Sequence, residues 1–440
     1  MTSSGNRFRL RVAHSGKQHA YRHALAVEQA GSLDLFITSG YYKPNWFPDR
    51  LASSIKRIDR VMRRRFQEGL PVEKVVRRWR YELPELIARY AFGPGRFAEN
   101  CMFRRDAAFD RWVARNWVRD CDIYWGFQGS CLESLNAARQ RGITAIAEFA
   151  IAHVTSAIEL LSEEAAKHPE WASTISNFSF PGWYRERLEQ EPHAADYCVA
   201  ASQFTVRSLE QADVDPRRIL LLPLGADLEE FRFARRSSEG SFRILFVGGV
   251  GQRKGVKYLL QAFERIRGRG VELTLAGPLP ADMRPLTPYE GLVRLTGRLD
   301  QAAIVREMHA AHVLVLPSVF EGFGLVIAEA MATGMPVIAS THSAGPDIIR
   351  EGIDGYVVEP DDVERLADRL ERIRSARAAA IEMGAAAARR AREFSWDAHA
   401  NRLKQILKFV TLSSSGSAEL SKPDLAIPKT ECSLIRRPHC

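Results

Sequence analysis

Two glutamates, Glu321 and Glu329, have seven residues between them in a segment that is otherwise mainly apolar and small. The apolar run 313–317 precedes them and is typical of a buried parallel strand. From Leu325 the residues favour a helix, which Gly334 ends. An ionised carboxylate only accepts hydrogen bonds, so both acids match the hydroxyl donors of a sugar ring.

The start of this helix is the second chemical feature. It follows the strand directly, so it lies at the carboxyl end of a parallel strand, where open α/β sheets bind ligands. Free backbone N–H groups and the helix dipole favour an anion such as a diphosphate at that point. Backbone amides that can bind a diphosphate thus lie beside carboxylates that can bind hydroxyl groups. Together they indicate a nucleotide sugar as the ligand. The alternative is two surface acids on an ordinary helix.

A glycine-rich basic turn follows another apolar strand, ILFV. Gly248, Gly249 and Gly251 allow the backbone to approach a phosphate closely, and Arg253 and Lys254 supply positive charge. The turn lacks the GK[ST] of a Walker loop and the third glycine of a dinucleotide fingerprint. The alternative is a solvent-exposed basic turn.

Together these segments resemble the donor-binding signature of family 4 of the retaining glycosyltransferases. The resemblance covers about residues 8–410 and implies an α/β GT-B fold. In that fold two Rossmann-like domains face each other across a cleft, and a C-terminal helix crosses back to the N-terminal domain. The resemblance implies that Glu321 contacts the donor sugar hydroxyls and that Glu329 contacts the ribose hydroxyls.

The resemblance also assigns the phosphate contacts. Lys254 takes the role of the family's lysine on the donor diphosphate. Arg253 is expected to replace an arginine that many relatives carry at the position of Gly249. The backbone amides that the resemblance places on the diphosphate are those of Phe323, Gly324 and Leu325.

His153 resembles a family histidine in the amino-terminal domain that touches the donor sugar near the scissile bond. The alternative is a structural histidine with its hydrogen bonds satisfied inside the protein. Glu148 lies five residues earlier, and we interpret it as a surface acid at the end of a strand.

Two further pairs of residues follow predicted strands. Gly16 and Lys17 end the first strand, where relatives place a glycine loop that faces the donor phosphates or the acceptor. Gly297 and Arg298 follow a later strand, where relatives hold the nucleotide base largely through the backbone.

The resemblance implies transfer of a hexosyl unit from a UDP- or GDP-sugar to a glycan or lipid-linked acceptor, with retention of configuration. The leaving phosphate is expected to take the acceptor proton. Positive charge from Lys254, Arg253 and the helix start can do the work of a metal ion. We therefore expect no metal and no cofactor besides the donor. The two Asp-x-Asp triplets, 120–122 and 213–215, do not follow a strand into a site.

The net charge of +9 is concentrated in one segment. Residues 51–120 contain 17 Lys/Arg and 9 Asp/Glu, which gives +8. Apolar residues at helical spacing predict two basic amphipathic helices there, the first with Ile55, Ile58, Val61, Met62 and Phe66 and the second with Val72, Val75, Val76, Trp79 and Leu83. Residues 51–80 could lie on an anionic membrane surface. The alternative is a solvated face of ordinary helices. No nucleic-acid-binding motif accompanies the charge, so we expect no nucleic-acid partner.

The predicted organisation follows from alternating strands and helices. Residues 1–222 form an N-terminal acceptor-binding domain with a basic helical insert at about 50–120, and residues 223–396 form the nucleotide-sugar-binding domain. Residues 397–410 form the crossover helix, and residues 411–440 are expected to be disordered. Scattered cysteines, the lack of an apolar N-terminal segment and the lack of a spanning segment favour a cytoplasmic protein, peripheral to the inner face of the membrane.

Two other functions fit the same residues. A nucleotide-sugar epimerase can share the fold, and would convert the donor without an acceptor. A non-catalytic module would bind a nucleotide or a lipid without turnover. A polysaccharide or lipopolysaccharide assembly role remains the first hypothesis.

Overall fold

The computed structural model of this chain describes residues 8–17, 19–44, 46–47, 49–52, 62–93, 95–175 and 179–414. Two parallel sheets organise these residues. Their strands are almost continuous apolar runs, because helices cover both faces of each sheet. No helix in these ranges is both long enough and apolar enough to cross a bilayer.

The first sheet has seven strands in the order β3-β2-β1-β4-β5-β6-β7. The strands are β1 (Leu10–His14), β2 (Leu33–Thr38), β3 (Val75–Arg77), β4 (Ile123–Phe127), β5 (Thr144–Phe149), β6 (Tyr197–Ala200) and β7 (Ile219–Leu221). The helices of this half are α1 (Ala20–Gln29), α2 (Trp79–Phe92), α3 (Arg96–Asn116), α4 (Leu132–Gln140), α5 (Val154–Lys167), α6 (Gly182–Ala194) and α7 (Gln203–Gln211), with a helical turn at Asp49–Ala52.

The second sheet has six strands in the order β10-β9-β8-β11-β12-β13. The strands are β8 (Phe242–Val247), β9 (Val271–Ala276), β10 (Arg294–Gly297), β11 (Val313–Leu316), β12 (Val337–Ser340) and β13 (Gly355–Val358). The helices are α8 (Val256–Ile266), α9 (Gln301–Ala310), α10 (Leu325–Ala332), α11 (Val363–Ser375), α12 (Arg377–Ala391) and α13 (Trp396–Ser414), with a helical turn at Gly345–Ile348.

The strand order reverses once in each sheet, between β1 and β4 and between β8 and β11. Adjacent loops diverge at such a switch point and leave a crevice at the carboxyl ends of the strands. The glycine-rich basic turn follows β8, and the loop with Glu321 follows β11. Because β8 and β11 are paired, the two predicted donor segments emerge side by side.

Helix α13 returns to the first sheet and packs on α1. Its buried residues Ala400, Leu403, Ile406, Leu407 and Val410 join the core that covers β1, β2 and β4. The predicted crossover is confirmed, but the helix continues through Ser414, so the prediction of disorder from residue 411 is wrong for residues 411–414. Residues 415–440 lie outside the described part.

The basic insert differs from its prediction. Val75 and Val76 were expected on a helix, yet they form strand β3 at the edge of the first sheet, and the helix begins only at Trp79. The β-branched residues favour an extended edge strand beside β2, which overrides their helical spacing. The first predicted amphipathic helix falls mainly on residues 53–61, outside the described ranges.

The turn between the two sheets contacts the start of the crossover. The Ala226 N–H donates to the Phe394 carbonyl at 2.7 Å. A Cβ on Gly225 would lie 2.7 Å from the Trp396 backbone, so only glycine fits this approach. Asp227 accepts a hydrogen bond from Arg22 on α1 at 2.6 Å. This turn therefore links the second half to α1 and α13.

Candidate functional site

The loop after β11 ends in a left-handed glycine. Gly324 has φ 79°, which glycine tolerates at little cost, and helix α10 starts at the next residue. The backbone N–H groups of Phe323, Gly324 and Leu325 have no acceptor among the described residues. An eight-residue helix with free amides at its start favours a bound anion.

Lys254 forms an ion pair with Glu321 between the two donor segments. A 3₁₀ turn, Gln252–Lys254, places the lysine, and Gly255 then takes φ 69°. A Cβ on Gly255 would lie 1.8 Å from the Pro317 carbonyl oxygen, so the basic turn approaches the end of β11 only because glycine is present. Burial and then Arg253 lower the pKa of Lys254 to about 7.

Arg253 holds the two loops together. Its guanidinium donates to the Phe320 carbonyl at 3.1 Å, and its own carbonyl accepts the N–H groups of Val319 and Phe320 at 3.1 and 3.2 Å. Its Nη1 lies 4.0 Å from Glu321 Oε2. Burial lowers the pKa of Arg253. The residue thus adds positive charge and also fixes the position of the Glu321 loop.

Glu329 is a partly buried carboxylate with no hydrogen-bond or ion-pair partner in the described part of the chain. Burial first, and then the charges of Asp227 and Glu230, raise its pKa to about 7. A carboxylate held in such surroundings without a partner has its acceptor capacity available for hydroxyl groups.

The Glu321 loop lies against the first half of the chain. A Cβ on Gly322 would lie 1.9 Å from the Ala150 carbonyl oxygen and 2.6 Å from the Ile151 Cα. The Ser202 hydroxyl donates to the Gly322 carbonyl at 2.6 Å. The donor segments therefore meet the loop that follows β5 directly.

A second contact between the two halves lies beside the basic turn. The Glu164 carboxylate on α5 accepts hydrogen bonds from Gln252 Nε2 at 2.6 Å and from the Tyr258 hydroxyl at 2.8 Å. The Gln252 N–H donates to Thr174 Oγ1 at 3.0 Å. These buried bonds fix the basic turn that carries Lys254 against the first half.

A cleft pocket of about 320 Å³ lies between the halves at this turn. Its lining includes Gly249, Arg253 and Lys254 from the second half and Ser173–Ile175 from the first. Gly249 is exposed, and a Cβ there would meet nothing within 4 Å. Three of the predicted donor residues thus line one space.

His153 lies at the start of α5. The side chain caps α5, with Nδ1 accepting from the Thr155 N–H at 3.4 Å. The backbone N–H of His153 donates to the Ser208 hydroxyl at 2.9 Å. Nε2 is buried and has no hydrogen-bond partner among the described residues. Burial is the main cause that lowers its pKa to about 4. The capping bond fits a structural histidine, but Nε2 lacks the partner that this alternative requires. Contact with a donor sugar therefore stays a prediction.

Glu148 is buried, so its interpretation as a surface acid is wrong. Its Oε1 lies 2.6 Å from His19 Nε2, and its Oε2 accepts from Trp125 Nε1 at 2.8 Å. His23 Nδ1 lies 3.4 Å from Oε2. Burial alone would raise the pKa of Glu148, but His23 and His19 outweigh burial and hold it at about 2.

His19 and Glu148 line a cavity of about 240 Å³ in the first half. Its remaining walls come from the ends of β1 and β4, from α3 and α6, and from the loop after β5. Aromatic and charged side chains both contribute, including Phe103, Phe127, Phe180, Tyr184, Arg105 and Asp106. Sequence reasoning missed this constellation, because a lone histidine and a strand-end glutamate carry no spacing signal.

The other predicted residues lie at the ends of strands β1 and β10. Gly16 is buried at the end of β1, and Lys17 is exposed, with a pKa lowered by burial and then by Arg65, Arg64 and Arg22. Gly297 has φ 66° and its carbonyl accepts from the Gly277 N–H at 3.0 Å. Arg298 directly follows β10 and is exposed.

The described residues contain no group of three or more His, Cys, Asp or Glu arranged to hold a metal ion. One aspartate of each Asp-x-Asp triplet accepts a hydrogen bond from a backbone N–H. Asp122 accepts the Arg9 N–H at 2.6 Å, and Asp215 accepts the Arg217 N–H at 2.9 Å.

Similarity to known proteins agrees with this geometry. Residues 241–375 match the family model "Glycosyl transferases group 1". A D-inositol 3-phosphate glycosyltransferase of Nocardioides sp. is 31% identical over 240 residues, which are 48% of this chain and 52% of that protein. The chain thus spans about half the length of the curated relatives that it matches.

Solved structures extend the similarity to almost the whole chain. Sucrose-phosphate synthase from Thermosynechococcus elongatus has a TM-score of 0.60 at 19% identity, covering 92% of this chain and all of that one (100%). Anabaena HepE in complex with UDP has a TM-score of 0.60 at 14% identity, covering 91% and 100%. The fold is that of the GT-B glycosyltransferases, and residues 241–375 are similar to the group 1 glycosyl transferases.

Proposed function

We propose that this protein transfers a hexosyl unit from a nucleoside-diphosphate sugar to a hydroxyl group of an acceptor. One observation carries the proposal: the ion pair of Lys254 and Glu321 lies beside the free amides at the start of α10. This places positive charge and N–H donors for a diphosphate next to a carboxylate for sugar hydroxyls. The expectations for Glu321 and Glu329 drawn from the sequence are consistent with these positions.

The proposed reaction needs stabilisation of the departing diphosphate. The acceptor oxygen bonds to the anomeric carbon while the bond from that carbon to the diphosphate oxygen breaks, and the bonding electrons leave with the diphosphate. Lys254, Arg253 and the α10 amides are close to where that negative charge develops. We propose that this charge replaces a metal ion, that the leaving phosphate takes the acceptor proton, and that configuration is retained.

UDP is the first nucleotide to test. Structures of Anabaena HepE, which shares the fold, hold UDP and UDP-glucose. In our proposal Glu329 binds the ribose hydroxyls, and the backbone at Gly297 and Arg298 faces the base. A GDP-sugar remains the alternative donor.

The acceptor is proposed to bind the first half, as a glycan or a lipid-linked glycan in cell-surface polysaccharide assembly. A structurally similar protein is a lipopolysaccharide outer core galactosyltransferase, which supports this class of acceptor. Helices α2 and α3 carry exposed apolar side chains next to exposed arginines. We propose that this face, rather than residues 51–80 as a whole, contacts anionic lipid at the cytoplasmic face of the membrane.

The test is thermal unfolding of the full chain with UDP, GDP and ADP. A ligand at 100 times its dissociation constant adds about 2.7 kcal/mol to the free energy of unfolding, which is an easily measured shift. We expect a shift with one nucleotide, and its loss in Glu329→Ala. The same nucleotide then defines the sugar donors for a transfer assay with and without cell extract as acceptor source.

The control is Glu290→Ala, which removes an exposed glutamate elsewhere in the same half. Conversion of the donor without acceptor would identify an epimerase instead. A nucleotide shift without any turnover would identify a binding module. No shift with any nucleotide or nucleotide sugar would contradict the proposed donor site.

A further inference from the structure

The cavity in the first half contains a histidine whose two ring nitrogens have different surroundings. His19 Nε2 lies 2.6 Å from the buried Glu148 carboxylate. Nδ1 has no hydrogen-bond partner among the described residues, and it is not one of their fully buried unsatisfied atoms. Since His19 lines the cavity, Nδ1 is the nitrogen available to a molecule inside it.

The Glu148 carboxylate determines which nitrogen carries the proton. An ionised carboxylate is only an acceptor, so the imidazole donates Nε2–H to it, and in the neutral ring Nε2 carries the only ring proton. The Trp125 indole N–H donates to the other oxygen of the carboxylate at 2.8 Å. Nδ1 then presents a lone pair, and the cavity gains a hydrogen-bond acceptor rather than a donor.

The rest of the cavity fits a small ring with several hydroxyl groups. Rings of Phe127 and Tyr184 offer apolar faces, and the His19 and Phe127 rings are in edge contact at 5.3 Å between centroids. Asp106 is engaged by the Tyr184 hydroxyl at 2.9 Å and by Ser15. A sugar or cyclitol combines an apolar ring face with hydroxyl donors, and both have counterparts here.

The cavity also lies next to the donor loop. Ala150 and Ile151 belong to its wall, and the same two residues touch Gly322 in the loop that carries Glu321. One short backbone segment therefore separates the cavity from the residue expected to bind the donor sugar. A ring in the cavity would lie within reach of the donor sugar.

Building on the proposed function, we propose that this cavity binds the acceptor as a polyhydroxylated ring, with His19 Nδ1 accepting a hydrogen bond from one of its hydroxyl groups. Glu148 acts as a positioning residue, because it holds the imidazole in the tautomer that can accept this bond. The pair determines acceptor recognition, while the loops after β8 and β11 bind the donor.

The first test is ¹⁵N NMR of histidine-labelled full-length protein, with His19→Gln used to assign the resonances. We expect His19 to be protonated at Nε2 with an acceptor-type Nδ1. Methyl α-D-glucopyranoside, methyl α-D-mannopyranoside and myo-inositol serve as probes, and at least one should move the Nδ1 resonance. In Glu148→Gln the amide N–H₂ donates to Nε2, so the proton should move to Nδ1. Protonation of Nδ1 in the unmodified protein, or an Nδ1 resonance that no probe moves, would overturn the proposal.

The second test separates acceptor binding from donor binding in the transfer assay. His19→Gln keeps a nitrogen for Glu148 but lacks Nδ1, so we expect the acceptor KM to rise about 10- to 100-fold, the effect of one lost hydrogen bond to substrate. The donor KM and the nucleotide-induced thermal shift should stay unchanged. His309→Gln, an exposed histidine on α9, is the matched control.

The outcomes distinguish the two proposals. An unchanged acceptor KM in His19→Gln contradicts the role of His19, although the protein is a transferase. Equal rises in donor and acceptor KM indicate a general structural defect and also contradict it. Absence of transfer by the unmodified protein contradicts the proposed function, and the NMR result then decides whether the cavity binds a polyol.

Discussion

Glu329 combines an unfavourable environment with a proposed binding role. The group is largely removed from water, lies near Asp227 and Glu230, and has no partner in the described structure. Such a carboxylate destabilises the folded protein when it ionises. A ligand with hydroxyl donors would stabilise the ionised carboxylate by hydrogen bonds. Glu329 therefore lowers the stability of the free protein and increases its affinity for such a ligand.

The stability of the protein should therefore depend on pH through Glu329. Its pKa in the folded protein is raised to about 7 from 4.5, so the folded state binds the proton more tightly than the unfolded state. The free energy of unfolding then falls as the pH rises from about 4.5 to 7. Glu329→Gln mimics the protonated form, and should be more stable than the unmodified protein at pH 8 by up to about 3 kcal/mol.

Urea unfolding at pH 5 and pH 8 measures this effect. We expect the stability gain of Glu329→Gln at pH 8 and little difference at pH 5, together with a lost nucleotide shift. Glu290→Gln should show neither change. An equal effect of Glu329→Gln at both pH values would show that burial of this carboxylate is not the cause.

The chemistry of the donor residues could be predicted from the sequence, because each belongs to a local pattern after a strand. The structure brings Lys254 and Glu321 into contact and leaves Glu329 without a partner among the described residues. His19 and Glu148 could not be paired in advance. Their partnership joins the start of α1 to the end of β5, 129 residues apart, and depends on the sheet order.

At the scale of elements, the loop from Ser318 to Gly324 contacts both halves of the molecule. Its start is fixed by Arg253, its centre contacts Ala150 and Ile151, and its end becomes helix α10. Gly322 is the point of closest approach. A side chain at this position must displace either the Glu321 loop or the loop after β5.

Gly322→Ala should therefore separate these loops while both sheets stay folded. Its Cβ would lie 1.9 Å from the Ala150 oxygen, a contact that real structures do not tolerate. Such overpacking costs about 1–3 kcal/mol and moves backbone. We expect transfer to fall at least about tenfold, because small displacements of reacting groups cost that much or more, and the radius of gyration in small-angle scattering to increase.

Gly268→Ala is the control, since a Cβ there meets nothing within 4 Å. It adds the same methyl group to the same half and should leave transfer and the radius of gyration unchanged. Normal transfer by Gly322→Ala would mean that contact between these loops is not required.

Strands and helices of both Rossmann-like halves follow from apolar runs and glycine stops. The strand predicted in the run 313–317 is observed at Val313–Leu316, and the helix predicted from Leu325 is observed at Leu325–Ala332. The basic insert was the exception. The spacing of Val75 and Val76 predicts an apolar stripe on a helix. In the structure they pair with Phe36 and Ile37 of β2 and form an edge strand. Local spacing cannot reveal such a pairing, because the partner strand is about 40 residues away in the chain.

At the scale of the whole molecule, one exposed face stands apart from the rest of the described surface. Leu83, Ile87 and Tyr90 follow each other at spacings of four and three on α2, and are 48%, 62% and 75% exposed. Phe92 and Phe97 extend the same face, with ring centroids 5.2 Å apart. Residues at spacings of three and four lie on the same face of a helix, so these side chains form one apolar stripe.

Charge on this face favours anionic lipid over a protein partner. Four arginines around the stripe are exposed, Arg80, Arg89, Arg96 and Arg104. Of the acids on the same helix, Glu82 is buried and paired with Arg65, so it does not offset that charge at the surface. Glu85 pairs with Arg105 and also with Arg89 at 2.6 Å, so it offsets one of the four exposed charges. Helix α3, which packs on α2, also lines the cavity proposed for the acceptor. A lipid-linked acceptor could thus reach the cavity from a membrane on this side.

Vesicle sedimentation tests the lipid surface. The full chain should bind vesicles of phosphatidylcholine with phosphatidylserine at low salt and dissociate from them at high salt, since each basic residue contributes about 1 kcal/mol near an anionic surface. It should not bind vesicles of pure phosphatidylcholine. The triple change Leu83→Ser, Ile87→Ser and Tyr90→Ser should abolish binding. Its matched control changes three exposed apolar residues of the second half, Leu279→Ser, Leu292→Ser and Ile353→Ser. Binding that survives the first set but not the second would move the membrane contact to the other half of the molecule, and with it the route by which a lipid-linked acceptor reaches the cleft.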